Sequence, residues 1–192
     1  MTGVKTRCKW INLSNPLYVK YHDEEWGKSL NSNTEIFELL SLETQVAGLS
    51  WLTVLSKRNS YREEFANFDI SIVANYSTSD IEHIINRGKV IKSRLKIEAI
   101  VNNAQNCLKI IQEFGSLKNY FWAKINYNPI INNVEHYKDV PTQTELSGNI
   151  SKELKKRGFK FIGSTTIYSF MQACGMVDDH ENACFCKDQL TI

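Results

Sequence analysis

An all-α fold, arranged as a two-lobed helical domain, is what this sequence predicts, and three observations carry it. Apolar residues recur at spacings of three and four, most clearly from Ser93 to Phe114, where Ile97, Ile100, Val101, Ala104, Leu108 and Ile111 form one stripe. Hydroxyl and carboxylate residues stand three apart in capping-box spacing, as Ser60 with Glu63, Ser79 with Glu82, and Thr142 with Glu145. Only three prolines interrupt the chain, and no stretch alternates convincingly between apolar and polar.

The elements follow in order. The stretch Trp10 to Gly27 holds four large aromatics, Trp10, Tyr18, Tyr21 and Trp26, with few aliphatic partners. That composition suits a surface on which flat ligands stack better than it suits an ordinary core helix. A strong helix is predicted from about Thr34 to Leu55, broken near Gly48, and it carries Glu43 and Gln45 inside an otherwise apolar run. An acid buried without a partner is costly, so Glu43 must face a donor, a cation or water. The long helix of Ser93 to Phe114 comes next. The segment Asn126 to Pro141, with two of the three prolines, reads as the loop joining the two lobes. A basic helix end follows, running Lys155-Lys156-Arg157-Gly158-Phe159-Lys160-Phe161-Ile162-Gly163, before another helix from about Ser164 to Cys174.

At 192 residues the chain is long enough to bury a core without help from metal or disulfides. A net charge of +2 argues against a strong sequence-independent grip on nucleic acid by total charge alone. The local cluster of Lys152, Lys155, Lys156, Arg157 and Lys160 supplies a positive patch instead. Five cysteines without disulfide spacing, no leader-like apolar segment and no long apolar run place the expected protein in the reduced cytoplasm, away from membranes.

Two pairs of soft ligands lie at opposite ends: Cys8 with His22, and His180 with Cys184. Two thiolates and two imidazoles suffice for a closed tetrahedral zinc site, although spacing alone is equally compatible with chance scatter. Cys186, two residues past Cys184, is the rival ligand. Cys107 and Cys174 read as small core residues, His83 and His136 have no partner at ligand spacing, and Lys89, Lys92, Arg94 and Lys96 read as a solvated helix start.

Four motifs in order, Tyr21-His22-Asp23-x-x-Trp26-Gly27, Leu42-Glu43-x-Gln45-x-Ala47-Gly48-Leu49-Ser50-Trp51, Lys155 to Gly163, and Tyr168 to Gly175, closely resemble the 3-methyladenine DNA glycosylase I family, over nearly the whole chain. Thr44 and Val46 depart from the glycine and glutamine of some members. The resemblance implies a single glycosylase domain over 1–192, within the helix-hairpin-helix superfamily, the hairpin motif lying at about 150–175. It implies that the enzyme hydrolyses the N-glycosidic bond of 3-methyladenine in alkylated double-stranded DNA and releases the free base, as a monomer. Glu43 would be the catalytic and base-binding carboxylate, with Trp10, Tyr18, Tyr21 and Trp51 around the base. Gly158, Lys160, Gly163, Ser164 and Thr165 would contact DNA, and Cys8, His22, His180 and Cys184 would hold a structural Zn2+. The superfamily's usual catalytic aspartate is absent from this family, so Asp178 and Asp179 are read as supporting residues. The rival reading is a zinc-clamped helical module that binds damaged DNA without cutting it.

Overall fold

The computed structural model describes residues 5–187, and it is helical almost throughout. Ten α-helices appear among these residues, and their starts are written in local chemistry. Helix α1 (Pro16–Glu24) begins with proline in its first turn after Asn15, whose side chain accepts the Tyr18 N–H. Helix α2 (Asn33–Gln45) starts at a capping box, Ser32 with Glu35. The predicted break separates α2 from α3 (Trp51–Leu55), and Ser50 caps the latter. Helices α4 (Arg58–Glu64), α5 (Ile70–Val73) and α6 (Thr78–Arg87) follow, then the long α7 (Arg94–Phe114) and α8 (Leu117–Trp122).

Two of the predicted capping boxes lie two residues from the true ones. Helix α6 is capped by Ser77 with Asp80, and α9 (Glu145–Lys156) by Thr144 with Ser147. Ser60 lies inside α4 and caps nothing. In each case a second hydroxyl stood close enough to mimic the cap, and only the extended backbone of the real N-cap residue separates the two.

Nearly all of α2 is inside: every residue from Ile36 to Gln45 is buried. It packs against α7, α8 and α10 (Ser164–Ala173), so it forms the axis around which the other helices lie. The apolar core is continuous from Ile36 to Val177, and truncating one central member, such as Leu40 to alanine, would cost about 2–5 kcal/mol. A second, smaller cluster of Cys8, Ile11, Cys184 and Cys186 joins the two chain ends.

The 126–141 segment is more than a connector. Its Ile130–Ile131 (β1) pairs in parallel with Val177–Asp178 (β2), which anchors the loop against the C-terminal segment. No helix among the described residues is long and apolar enough to cross a membrane.

Candidate active site and metal cluster

The aromatic residues of the N-terminal stretch converge on one pocket, and Glu43 lies in its wall. Trp10 meets Tyr18 edge-on at 5.2 Å and Trp26 at 5.1 Å, while Tyr21 and Trp51 lie tilted at 5.1 Å. These separations are those of favourable aromatic pairs, so the rings brace one another. All five base-binding residues expected from the sequence line this pocket, and Trp26 joins them.

Glu43 is 6% exposed. Burial alone pushes its carboxyl up to about 8, since among the described residues no cation or donor opposes the loss of water. Burial, reinforced by Glu43, likewise raises the Tyr21 and Tyr18 hydroxyls. Among the described residues Glu43 thus has no cation beside it, and electron-rich rings line the same pocket. Such a site favours a flat guest carrying positive charge.

The departures at 44 and 46 have separate consequences. Thr44 points into the core, donating to the Ser41 carbonyl at 2.6 Å and accepting from Gln45, whereas Val46 lines the pocket. Lys96 corrects the expectation of a solvated helix start. It is buried, and its ammonium donates to the carbonyls of Gln45 at 2.8 Å and Ala47 at 2.7 Å, closing the C-terminus of α2.

Several residues of the site had no sequence signal. Tyr137 and Val140, from the loop read as a connector, form part of the pocket wall. Glu181 bridges two sides of the site: its carboxylate accepts the Lys9 N–H at 2.8 Å and the Tyr137 N–H at 2.9 Å. Asp179 also lines the pocket, but its oxygens accept from Tyr168, Gln172 and Asn132, each at 2.7 Å. A carboxylate so fully engaged is a brace.

Beside the pocket, His22, His180, Cys184 and Cys186 are all buried, and their ligand atoms lie within 4.8 Å of one another. This cluster could hold a metal ion. Each imidazole is oriented through Nδ1, His22 by Asp23 at 2.9 Å and His180 by Asp178 at 2.8 Å, which leaves both Nε2 atoms facing inward. His180 Nε2 is buried without a hydrogen-bond partner, as a ligand atom awaiting a cation would be. Close approach of the chain here requires glycine: Gly27 has φ +79°, and a Cβ there would come within 2.6 Å of the His180 ring.

Cys8 lies outside that mutual group yet against it, hydrogen-bonded to Cys184 and accepting the Glu181 N–H at 3.3 Å. Cys184 accepts the Cys186 N–H at 3.4 Å, and hydrogen bonds from Cys8 and His22 hold it well below the usual thiol range. The other two thiols lie above the usual range: a hydrogen bond to Cys184 and burial raise Cys8, and burial pushes Cys186, whose sulfur faces the His22 carbonyl, up to about 12.

The expected DNA-contacting residues also fall together. Residues 157–163 form a hairpin between α9 and α10, with Lys160 exposed and Ser164 and Thr165 in the first turn of α10. Ser164 pairs with Gln143.

Proteins that act on a single extruded base need a slot for a flat ring, an acid to meet positive charge, and a frame that can rest against a duplex, and this fold and pocket place the chain in that class. The sequence matches the family described as methyladenine glycosylase over residues 10–187, and the chain belongs to it. A DNA-3-methyladenine glycosylase of Haemophilus influenzae is 47% identical over 182 residues, spanning 95% of this chain and 98% of that protein. A crystal structure of a 3-methyladenine DNA glycosylase I superposes with a TM-score of 0.91 at 43% identity, covering 95% of this chain and 100% of the other. A tyrosine-to-phenylalanine variant of such an enzyme in complex with 3-methyladenine superposes with a TM-score of 0.88 at 40% identity, over 90% and 93% of the two chains.

Proposed function

We infer that this protein removes 3-methyladenine from alkylated DNA by hydrolysing its N-glycosidic bond. The observation that carries the reading is Glu43, a buried acid without a charge partner in a box of aromatic rings. Adenine methylated at N3 within DNA is cationic. Its bond to C1′ of deoxyribose is therefore weak: the bonding pair leaves with N9 to give a neutral base, while water adds its oxygen to C1′ and gives up a proton to solvent. Ionised Glu43 meets the cation and accepts hydrogen bonds from its edge, and the rings of Trp10, Tyr18, Tyr21 and Trp51 stack around it. Ordinary adenine brings no charge to offset the ionisation of Glu43, so the pocket discriminates by electrostatics. The braced Asp179 takes no part in the bond cleavage.

DNA is held by the hairpin, where Gly158, Lys160, Gly163, Ser164 and Thr165 face the phosphates. Leu49 is exposed on the turn between pocket-lining Val46 and Trp51, a turn tied down through Lys96. Leu49 would fill the gap in the stack when a base leaves it.

The metal is zinc with a structural role. His22, His180 and Cys184 would hold it with Cys8 as the fourth ligand, because the sulfurs of Cys8 and Cys184 each face a backbone N–H, whereas that of Cys186 faces a carbonyl oxygen. Bound there, zinc would join the chain ends and lock the walls that Glu181 connects.

Chromatography of bases released from methylated DNA tests the reading. Free 3-methyladenine in the supernatant supports the enzyme. Tight binding with every base retained would favour the rival, a damage-recognition module.

A further inference from the structure

Helix α7 carries a group of asparagines beneath the hairpin that the function described so far does not use. Asn103 is 1% exposed. Its carboxamide addresses both backbone groups of Lys160: Oδ1 accepts the Lys160 N–H at 2.8 Å, and Nδ2 donates to the Lys160 carbonyl at 3.1 Å. Asn102 donates to the Gly158 carbonyl at 2.8 Å and to Asn103 Oδ1 at 3.2 Å. From α9, Ser151 donates to the Ile162 carbonyl at 2.6 Å. The carbonyls of residues 158, 160 and 162 are thus all engaged by side chains of the flanking helices.

This arrangement fixes what the hairpin shows to the outside. Phe161, next to the pinned Lys160, has φ +56°, a strained conformation for a bulky residue that persists only where the surroundings impose it. Gly158 has φ +92°, and a Cβ there would come to 3.3 Å from the Asn106 amide, so the turn sits directly on α7. Among the described residues, the N–H groups of Phe161, Ile162 and Gly163 make no hydrogen bond within the protein. Three consecutive N–H groups without an acceptor in the protein, followed by the first turn of α10, are donors of the kind that a phosphate oxygen accepts from.

We propose that Asn103, seconded by Asn102, is a positioning residue for DNA binding: it substitutes for a neighbouring strand and holds 160–163 in the one form that presents these N–H groups. The inference rests on the reading of the hairpin as the DNA anchor. Asn103 touches neither the base pocket nor the metal cluster, so its effect is confined to the grip on the duplex.

The test compares Asn103→Leu, which keeps the bulk and removes both polar arms, with Asn102→Ala and with Lys160→Ala. Each is assayed for kcat and KM on methylated duplex, affinity for undamaged duplex, tryptophan quenching by free 3-methyladenine, thermal melting and amide hydrogen exchange. Asn103→Leu is expected to raise KM and weaken undamaged duplex binding by about tenfold, the loss of roughly one charge-assisted contact. Its kcat should stay within about twofold and its affinity for the free base should not change. Amide exchange at 160–163 should accelerate. Asn102→Ala should show the same pattern at about threefold, and it decides the matter should Asn103→Leu not fold. If Lys160→Ala weakens duplex binding while the folded asparagine variants bind as wild type, the clamp is overturned and the anchor stands. Unchanged duplex affinity in all three overturns the anchor and the clamp together. A fall in kcat or in free-base affinity without a change in KM also refutes the proposal, since it would place the asparagines in the service of the pocket.

Discussion

Replacing Glu43 with glutamine keeps the shape of the side chain and removes its charge, so the variant isolates what the acid contributes. Held up to about 8 by burial, Glu43 is only about one-tenth ionised at pH 7, and ionising it there costs about 1.4 kcal/mol. A cationic base about 4 Å away attracts the carboxylate by about 4 kcal/mol at the effective dielectric of a half-open protein site. The net gain at pH 7 is roughly 2.6 kcal/mol, so Glu43→Gln should lower kcat/KM on methylated DNA on the order of 80-fold. The wild-type value should also rise with pH, close to tenfold per unit below about 8, and level off above it, because kcat/KM reports the free enzyme. In Glu43→Gln that slope disappears. The assay is release of labelled 3-methyladenine at sub-saturating DNA between pH 6 and 9, with melting measured in parallel. A folded variant that excises at the wild-type rate, or a wild-type profile that stays flat across this range, would refute the electrostatic reasoning.

The same carboxyl leaves a mark on stability. Its folded-state pKa lies above its unfolded value, so the folded form binds the extra proton between about 4.5 and about 8; wild type should lose stability as pH rises through that window, and the loss should be absent from Glu43→Gln in paired melts. Elemental analysis should find one zinc per chain, lost in Cys8→Ser and in His180→Ala with a lower melting temperature, and kept in Cys186→Ser; loss of metal in Cys186→Ser with retention in Cys8→Ser would exchange the two cysteines. Metal-depleted but folded protein should keep residual activity, whereas complete loss restored by zinc without any change in melting would make the ion catalytic. Replacing Lys160 with alanine should weaken binding to damaged and undamaged duplex equally and lower the salt dependence by about one ion, while a selective loss of damage preference would move the hairpin into the pocket. Lys96→Met should loosen the turn bearing Leu49, seen as faster amide exchange at residues 46–50, and reduce excision without altering the melting of the metal cluster.

The pattern of the chain determined a great deal unaided. Helical periodicity located α2, α7 and α10 because their buried faces repeat with the turn of the helix, and the predicted break at Gly48 falls in the turn between α2 and α3. The aromatic run and Glu43 announced a pocket because those residue types are costly or unusual in a plain core, and the structure brings them together. Capping boxes were legible only to within two residues, since several hydroxyls compete for one helix start. What the tertiary structure alone decided are the contacts between segments distant in sequence, which have no local period to betray them. The 126–141 loop becomes a pocket wall because β1 pairs with β2 and Glu181 seizes the Tyr137 N–H. Lys96 turns inward because the end of α2 offers it two carbonyls, and Asn103 is buried because a hairpin more than fifty residues away needs both its arms. A buried polar group is stable only where its partners converge, and convergence is a property of the folded chain.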